Sequence, residues 1–355
     1  MTPAFWQGKR VCVTGHTGFK GGWLCLWLHQ LGAEVSGFSL EPRTTPNLFT
    51  AAKIEDRMSA SWIGDVRDLD AVKAALARSQ PEIVIHMAAQ ALVRESYVEP
   101  VETYATNVMG TVNVLEAARH LDSVRVVLVV TSDKCYENRE RSQGYREDEA
   151  MGGFDPYSSS KGCAELVTAA YRRSFYSAPG APAVATARSG NVIGGGDWSK
   201  DRLVPDAIAA FMAGKPLRVR DPDAVRPWQH VLDPLSGYLT LVEHLWRDGA
   251  GYAGPWNFGP ADEDSRPVRW VVEALARRME VDVRWELDPA PRPHEAGVLR
   301  LDCSKAREQL GWKPRLPLAT AIERVAEWYR GQARHDNAAE LTRDQILRYQ
   351  RELPQ

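Results

Sequence analysis

Residues 10–31 read RVCVTGHTGFKGGWLCLWLHQL. An apolar, β-branched run enters a turn with glycines at Gly15, Gly18 and Gly21, and apolar residues then recur at helical spacing. In such a strand–turn–helix unit, Gly15 permits the tight turn, Gly18 lets the backbone approach a pyrophosphate, and Gly21 lets the helix pack closely. The helix N-terminus adds partial positive charge. The stretch therefore predicts a dinucleotide-binding turn.

The rest of the first half predicts a parallel sheet. Short apolar runs alternate with helical stretches, which is typical of crossover connections between parallel strands. Several runs are apolar throughout, as expected where helices cover both faces of a sheet. The predicted strands are residues 10–14, 34–38, 82–87, 124–131 and 183–188. The predicted fold class is α/β, a Rossmann-like doubly wound parallel sheet with a smaller mixed α/β substrate-binding domain.

The pattern of the sequence changes after Gly190. Three glycines at 194–196 and several prolines interrupt shorter, less regular elements. We expect residues 1–190 to form the dinucleotide-binding domain and residues 191–355 to form mainly a substrate domain, with some segments returning to the first. Amphipathic helices around 319–329 and 341–349 are expected to serve packing.

Composition excludes several classes of function. The 355 residues are 44% hydrophobic and 25% charged, with a net charge of −2, so a basic surface for nucleic acid or membrane is not expected. The N-terminus has no apolar signal region, and glycines and basic residues break the apolar stretch 11–31. Five scattered cysteines without a C-x-x-C pair predict reduced thiols in the cytoplasm, and no His or Cys spacing predicts a metal.

The candidate dinucleotide site extends beyond the three glycines. An acidic residue is usual at the end of the second strand, but this sequence has Ser39 there, and we take Ser39 as its replacement. Other candidates lie within the turn or follow predicted strands, because the carboxyl ends of the strands line the crevice. They are Thr17, Phe19, Lys20, Asp65, Val66, Ala88, Ala89 and Gln90. Arg43 lies close to Ser39 in the sequence, and an arginine there can accommodate the 2′-phosphate of NADP. NADP therefore stays an alternative cofactor.

His16 is unusual within this turn. A bulky imidazole beside a pyrophosphate either crowds or hydrogen-bonds the cofactor, or points to solvent. Our hypothesis is that His16 tunes affinity for NAD, so His16→Gly should change the dissociation constant measured by cofactor titration. Equal constants for the two proteins would contradict the hypothesis.

A second constellation points to proton abstraction from an alcohol. Ser132 directly follows the predicted strand 124–131. Tyr157 comes 25 residues after Ser132, and Tyr157 and Lys161 lie four apart on a helix that begins after Pro156. Residues at this spacing share one helix face. A neighbouring ammonium stabilises phenolate and so lowers the pKa of a tyrosine toward that of a general base. Ser132 can hydrogen-bond the same substrate oxygen.

Five motifs are spread over nearly the whole chain. They are TGHTGFKG at 14–21, ETYATNVMGT at 102–111, TSDKCYE at 131–137, DPYSSSK at 155–161 and RPWQHV at 226–231. On these motifs the sequence resembles the extended short-chain dehydrogenase/reductase family and, within it, the CDP-glucose 4,6-dehydratases. The dTDP-glucose relatives typically have an acidic residue where Lys134 stands here, which favours CDP.

The resemblance implies a lyase that stores and returns a hydride. Tyr157 would take the proton of the sugar 4-hydroxyl, Lys134 as a neutral amine would remove the C5 proton, and Asp133 as a neutral acid would protonate the departing C6 hydroxyl. We expect NAD rather than NADP, because an internally recycled hydride needs no coupling to the reducing NADP pool. Lys134→Ala should then keep C4 oxidation and lose elimination.

The substrate is expected to be a small sugar nucleotide, held by guanidinium groups that suit a diphosphate. The candidates are Arg188, Asn191, Arg202, Arg226 and Arg292, with Ser132 against the sugar. In relatives, helices such as residues 101–120 and 157–176 form a four-helix dimer interface, so we expect a homodimer or higher homo-oligomer, although both helices could instead be intramolecular core.

Several alternatives stay open from the sequence. They are a dTDP- or GDP-sugar 4,6-dehydratase, a sugar-nucleotide 4-epimerase that returns the hydride to C4, and a cofactor-sensing regulatory protein. An epimerase has no use for Asp133 and Lys134 as an elimination pair. A sensor has no reason to keep Ser132, Tyr157 and Lys161 together.

Overall fold

The computed structural model describes residues 2–282, 284–289 and 298–351. The strands are β1 Arg10–Thr14, β2 Glu34–Ser39, β3 Ala60–Ile63, β4 Ile83–His86, β5 Val126–Val130, β6 Ala183–Arg188, β7 Val192–Ile193, β8 Leu217–Val219, β9 Val225–Pro227, β10 Gln229–His230, β11 Gly254–Asn257, β12 Ser265–Pro267 and β13 Trp285–Leu287.

The α-helices are distributed along the whole described chain. They are α1 Pro3–Trp6, α2 Phe19–Gln30, α3 Leu48–Ala51, α4 Leu69–Ser79, α5 Val93–Val98, α6 Pro100–Tyr104, α7 Gly110–Ala118, α8 Pro156–Ser174, α9 Leu203–Met212, α10 Leu232–Arg247, α11 Gly249–Tyr252, α12 Val268–Met279, α13 Ser304–Leu310, α14 Leu318–Ala333 and α15 Ala338–Arg351. A π-helix at Ala105–Met109 joins α6 to α7, and 3₁₀ turns lie at Glu55–Arg57, Asp133–Cys135 and Asp262–Asp264.

A parallel sheet organises the molecule. Seven of the described strands form it in the order β11-β6-β5-β4-β1-β2-β3, and every pairing between neighbours is parallel. The order reverses between β1 and β4, which is where α/β sheets of this kind bind ligands, beyond the carboxyl ends of the strands. The predicted Rossmann-like α/β fold is confirmed.

The second half of the chain contributes to this same sheet. β11 pairs with β6, and α10 packs against β5 and β6. The short pairs β7–β10, β8–β13 and β9–β12 lie outside the large sheet. The domain boundary at residue 190 stays a prediction.

Helix α2 is surrounded by the rest of the protein, which explains why apolar residues occur on all of its faces. Residues 21–28 of this helix are all buried, and α15 packs against its outer side. Trp23 donates its indole N–H to the carbonyl of Gly195 at 2.9 Å, and the Trp27 ring meets the Tyr349 ring edge-on at 5.6 Å. A fully buried large apolar side chain stabilises the fold by roughly 1.5–3 kcal/mol. This packing fixes the helix end that carries the glycine turn.

None of the described helices combines the length and apolar character needed to cross a membrane. No group of three or more His, Cys, Asp and Glu side chains arranged to hold a metal ion occurs among residues 2–282, 284–289 and 298–351. All five cysteines are free thiols.

Candidate active site

The glycine turn has the geometry that its sequence predicts. Gly15 has φ +76°, and a Cβ there would lie 2.7 Å from the backbone nitrogen of Ala88. A Cβ on Gly21 would lie 2.1 Å from the carbonyl oxygen of Gly15, so close packing requires a glycine. Gly18 is exposed and caps α2, whose first amides have no partner within the helix. These free donors and the glycine surface fit the pyrophosphate of a dinucleotide.

His16 does not point to solvent. Its ring is fully buried, its Nε2 lies 2.8 Å from the Ser61 hydroxyl, and Phe49 meets the ring edge-on at 5.4 Å. A Cβ on Gly37 of β2 would overlap the imidazole, at 2.3 Å from its Cγ. Burial lowers the pKa of His16 to about 4, so the ring is neutral at physiological pH. The solvent-facing interpretation is therefore wrong, while the effect on NAD affinity stays a prediction.

The other cofactor candidates lie around the turn, mostly engaged within the protein. Thr17 and Ser39 share a hydrogen bond of 2.9 Å, which ties the turn to the end of β2. The Ala88 amide donates to Thr14 at 3.2 Å, and the Gln90 side chain donates to Thr103 at 2.9 Å.

Asp65 and Val66 follow β3 and are also held internally. Asp65 forms an ion pair with Arg67, whose hydrogen bonds hold the pKa of that carboxyl below its usual value. Val66 is buried against Gly110. Ala89 is half-buried beside Ala88, and Phe19 packs against the large core. Their contacts with a cofactor stay predictions.

Tyr157 and Lys161 lie on the first turns of α8, as their spacing predicts. Asp155 caps this helix by accepting the Ser158 amide at 2.9 Å, and Pro156 occupies the first helical position. Lys161 is buried and donates to the carbonyl oxygen of Val130 at 3.3 Å. Burial and the positive charge of Lys20 lower the pKa of Lys161 to about 8.

The expected lowering of the Tyr157 pKa is not observed. Burial raises the pKa of Tyr157 to about 12, and the negative Asp133 adds to this, whereas a hydrogen bond with Ser132 and the charge of Arg202 oppose it. Burial of the phenol is the largest cause, and Lys161, which donates to the Val130 carbonyl oxygen, is not among the main influences on the Tyr157 pKa. Within the protein alone, the phenol form of Tyr157 is therefore favoured.

Asp133 and Lys134 follow β5 in a 3₁₀ turn. The Ser132 hydroxyl donates to Asp133 Oδ1 at 3.0 Å, and Asn191 Nδ2 lies 3.4 Å from Asp133 Oδ2. Asp133 is 1% exposed and packs against Gly190, where a Cβ would lie 2.0 Å from its carboxyl carbon. Lys134 is half-buried, and no hydrogen bond or ion pair to its ammonium occurs among the described residues. The structure thus brings Ser132, Asp133, Asn191 and Tyr157 together.

The contacts of Arg188 argue against its predicted role as a substrate ligand. It is 3% exposed and forms an ion pair of 2.8 Å with the buried Glu165. It also donates to the Tyr136 hydroxyl at 2.6 Å and to the carbonyl oxygen of Glu147 at 3.1 Å. Both Nη atoms of Arg188 are engaged by these groups, and its Nε is buried without a hydrogen-bond partner, so the guanidinium is enclosed in the protein interior.

The remaining candidates for substrate binding lie in different parts of the structure. Arg202 caps α9, lies 3.4 Å from Asp197, and acts electrostatically on both Tyr157 and Lys20. Arg226 lies in β9, opposite Arg266 of β12. Arg292 is outside the described residues. Trp198 and Trp228 serve packing: Trp198 meets the rings of Trp328 and Tyr329, and buried Trp228 donates to the carbonyl oxygen of Arg266.

The sequence interpretation missed two hydroxyl residues beside the site. Ser189, directly after β6, and Tyr238, in α10, lie 2.5 Å apart through their hydroxyl oxygens, and both accept from the Lys20 ammonium. Ser189 could have been found from its place at the carboxyl end of a predicted strand. Tyr238 has no local signal, because only the packing of α10 against the sheet brings it there.

Fold and site together define a dinucleotide-binding α/β protein with a Ser, Tyr and Lys constellation, and comparison gives the family. Residues 12–325 match the family model described as GDP-mannose 4,6 dehydratase. The chain belongs to this family. It is 49% identical over 349 residues to the CDP-glucose 4,6-dehydratase of Salmonella typhimurium strain LT2, with 97% of each chain covered. The predicted resemblance is confirmed.

Solved structures agree with the fold. MoeE5 in complex with UDP-glucuronic acid and NAD has a TM-score of 0.75 at 25% identity, covering 92% of this chain and 100% of that one. The dTDP-glucose 4,6-dehydratase from Bacillus anthracis strain Ames in complex with NAD has a TM-score of 0.75 at 21% identity, covering 91% of this chain and 97% of that one. At 21% identity, the similarity to the dTDP-glucose 4,6-dehydratase shows only that the two chains share a fold.

Proposed function

We propose that this chain is an NAD-dependent lyase that dehydrates CDP-D-glucose to CDP-4-keto-6-deoxy-D-glucose. The observation that carries the proposal is the 49% identity to a CDP-glucose 4,6-dehydratase over 97% of both chains. The proposal is supported by the positions of the candidate residues: Ser132, Asp133 and Lys134 follow the carboxyl end of β5, and Tyr157 and Lys161 lie in the first turns of α8. The five free cysteines fit a cytoplasmic location.

The site fits NAD better than NADP. Arg43 is the candidate to hold a 2′-phosphate, but it pairs with Glu95, whose carboxylate would repel that phosphate. MoeE5, which is similar over the whole fold, is known in complex with NAD. When bound, NAD supplies a hydride acceptor for C4 and returns the hydride to C6.

The residues of the chain divide the proton transfers among them. Tyr157 must lose its own proton before it can act as a base, because the phenol form is favoured in the protein alone; it then takes the 4-hydroxyl proton, which gives a 4-keto sugar and acidifies the C5–H bond. Lys134 removes the C5 proton, and Asp133 donates a proton to the C6 hydroxyl, which leaves as water. Lys134 returns its proton to C5 as the hydride reaches C6, and the proton that Tyr157 took from the 4-hydroxyl replaces the one that Asp133 gave to the leaving water. Ser132 donates to Asp133 and hydrogen-bonds Tyr157, so it orients the acid and the base together.

Substrate contacts follow from the same geometry. Asn191 reaches Asp133 and has φ +49°, a backbone conformation that asparagine tolerates and that aims its amide into the site. Arg202 is half-buried at the start of α9 and is the described arginine whose charge reaches Tyr157. We assign Arg202 and Asn191 to the sugar nucleotide, with Arg226 and Arg292 as further candidates.

A substrate panel tests the function. The protein is incubated separately with CDP-, dTDP-, UDP- and GDP-glucose, and the 4-keto product is followed by its absorbance in alkali. We expect turnover with CDP-glucose in preference to the others. A faster reaction with dTDP- or GDP-glucose would show that the substrate is that sugar nucleotide instead. Formation of a 4-epimer would show that the protein is a 4-epimerase. Binding without turnover of any of the four would favour a cofactor-sensing regulatory protein.

We also propose a homodimer formed by α6, the π-helix and α8, which pack against one another. This face exposes large apolar side chains: Val101 is 80% exposed, Leu166 60% and Met109 51%. Leu166→Glu is expected to yield a monomer in light scattering coupled to size exclusion, because a buried carboxylate opposes association. Met212→Glu on α9, 61% exposed, is the matched control. A dimer that survives Leu166→Glu would place the interface elsewhere.

A further inference from the structure

An ion pair crosses the edge of the sheet at the glycine turn. Arg43 follows β2, and Glu95 lies in α5, which follows β4. The Nη1 and Nη2 atoms of Arg43 donate to the two carboxylate oxygens of Glu95 at 3.3 and 2.5 Å. In the sheet, β1 lies between β4 and β2, and all three strands run parallel. The pair therefore spans the carboxyl end of β1, where the turn at 15–21 begins.

Both segments that carry this pair are fastened to residues of the candidate dinucleotide site. Thr17 of the turn donates its hydroxyl to the carbonyl oxygen of Leu40, at the start of the segment after β2, at 2.8 Å. On the other side, the Gln90 side chain donates to the carbonyl oxygen of Leu92 at 3.0 Å and accepts from the Leu92 amide at 2.5 Å, directly before α5. The pair is therefore the last contact in a chain that starts at the turn and ends after β4.

Helix α5 is also held from the second half of the chain. Arg94, which precedes Glu95, forms an ion pair of 2.7 Å with Asp201, in the segment before α9. Adjacent residues of one short helix therefore contact the segment after β2 and the segment before α9. Movement of α5 away from either segment requires an ion pair to break.

The pair between Arg43 and Glu95 is accessible to solvent and weak enough to open. The Arg43 side chain is 60% exposed and the Glu95 side chain 26%. Exposed ion pairs contribute little to stability, although a bidentate arginine–carboxylate pair is stronger than a single contact. Because β1 pairs directly with both β2 and β4, the ion pair can open while the sheet stays intact. These properties suit a contact that closes over a ligand.

We propose that the Arg43–Glu95 pair is a strap that slows the release of NAD, oxidised or reduced, from the glycine turn. Ligands of such sheets lie across the carboxyl ends of the strands, so the pair has to open before the cofactor leaves. This inference rests on the proposed function, in which the hydride returned to C6 regenerates NAD in every turnover. The cofactor then has no need to leave between turnovers, and slow release does not limit the reaction.

The dissociation rate of the cofactor tests the proposal without any sugar. NADH bound to the protein is displaced by excess NAD in a stopped-flow instrument, and the change in NADH fluorescence gives the rate. Glu95→Gln keeps the size of the side chain and removes its charge, so we expect release to be about two- to fivefold faster, the range for exposed ion pairs. Raising NaCl from about 50 to about 500 mM should speed release from the wild type more than from Glu95→Gln, because salt screens the intact pair.

Two further variants separate a strap from a direct contact with the cofactor. Arg43→Gln should release NADH as fast as Glu95→Gln, and the double variant should be no faster than either, because all three lack the same pair. Glu327→Gln is the matched control. It breaks the bidentate pair with Arg348 at 2.9 and 2.7 Å, which joins α14 to α15, and it should leave the release rate unchanged.

Equal release rates in the wild type and Glu95→Gln would overturn the proposal. Faster release from Arg43→Gln alone would also overturn it, because Arg43 would then bind the cofactor directly, and so would the same acceleration in Glu327→Gln. If Glu95→Gln does not fold, a wild-type release rate that is the same at both salt concentrations overturns it instead. Because no sugar is present, a failure of the substrate panel leaves this result unchanged.

Discussion

Lys134→Ala is expected to oxidise the sugar at C4 and then stop. The C5 proton is removed only after the 4-keto group forms, so loss of the Lys134 amine leaves the first hydride transfer intact. A positioned base typically contributes 10²- to 10⁴-fold to rate, and we expect the rate of 4-keto-6-deoxy sugar formation to fall by about that factor. Enzyme-bound NADH should accumulate, measured by its absorbance after mixing with CDP-glucose.

Substitutions of the adjacent Asp133 and of Tyr157 provide the controls. Asp133→Asn should also oxidise and stall, because the C6 hydroxyl then leaves without a proton donor. Tyr157→Phe should show no NADH at all, because the 4-hydroxyl proton has no acceptor. Full dehydration by Lys134→Ala would show that another group removes the C5 proton and would refute the role assigned to Lys134.

Local patterns in the sequence predicted the part of the fold that carries the site. The predicted strands 10–14 and 183–188 have the same bounds as β1 and β6. Gly15 and Gly21 sit where a Cβ would collide with backbone, so their meaning could be deduced from residue type and spacing alone. The Tyr157 and Lys161 pair was equally readable, because a cap and a proline mark the start of α8.

Contacts between distant segments could not be read in this way. β11 has four residues, begins with glycine and proline, and carries no alternation, so only its pairing with β6 makes it a strand. The burial of His16 could not be predicted, because its pocket exists only where Gly37 of β2 and Phe49 leave room for the ring. The direction of the change in the Tyr157 pKa was also predicted wrongly. Burial of the phenol raises this pKa, and a position on the same helix face as Lys161 does not offset that effect.

Arg188 shows the same limit for a charged residue. Its position at the end of β6 is what a substrate ligand would have, and nothing in its neighbours along the chain distinguishes the two roles. The difference lies in Glu165, from the middle of α8, which accepts from Arg188 and from the hydroxyls of Thr131 and Thr186 at 2.5 and 2.7 Å. This buried network joins β5, β6 and α8 below the active site.

Arg188→Met is expected to destabilise the fold rather than weaken substrate binding. Removing one partner of a buried ion pair leaves the other charge uncompensated, which costs about 3–5 kcal/mol of unfolding free energy. Arg188 holds the pKa of Glu165 below its usual value, so the stranded carboxyl should take up a proton in the variant. Urea unfolding followed by circular dichroism measures the loss.

A second substitution separates this explanation from a binding role. When both charges are replaced, in Arg188→Met with Glu165→Leu, much of the lost stability should return, because no unpaired charge remains in the interior. Arg202→Met provides the opposite case: the Arg202 side chain is 33% exposed, so we expect weaker substrate binding with little change in unfolding. If Arg188→Met instead had wild-type stability and a raised KM, the result would support a substrate contact for Arg188, because the substitution would then have weakened substrate binding without destabilising the sheet.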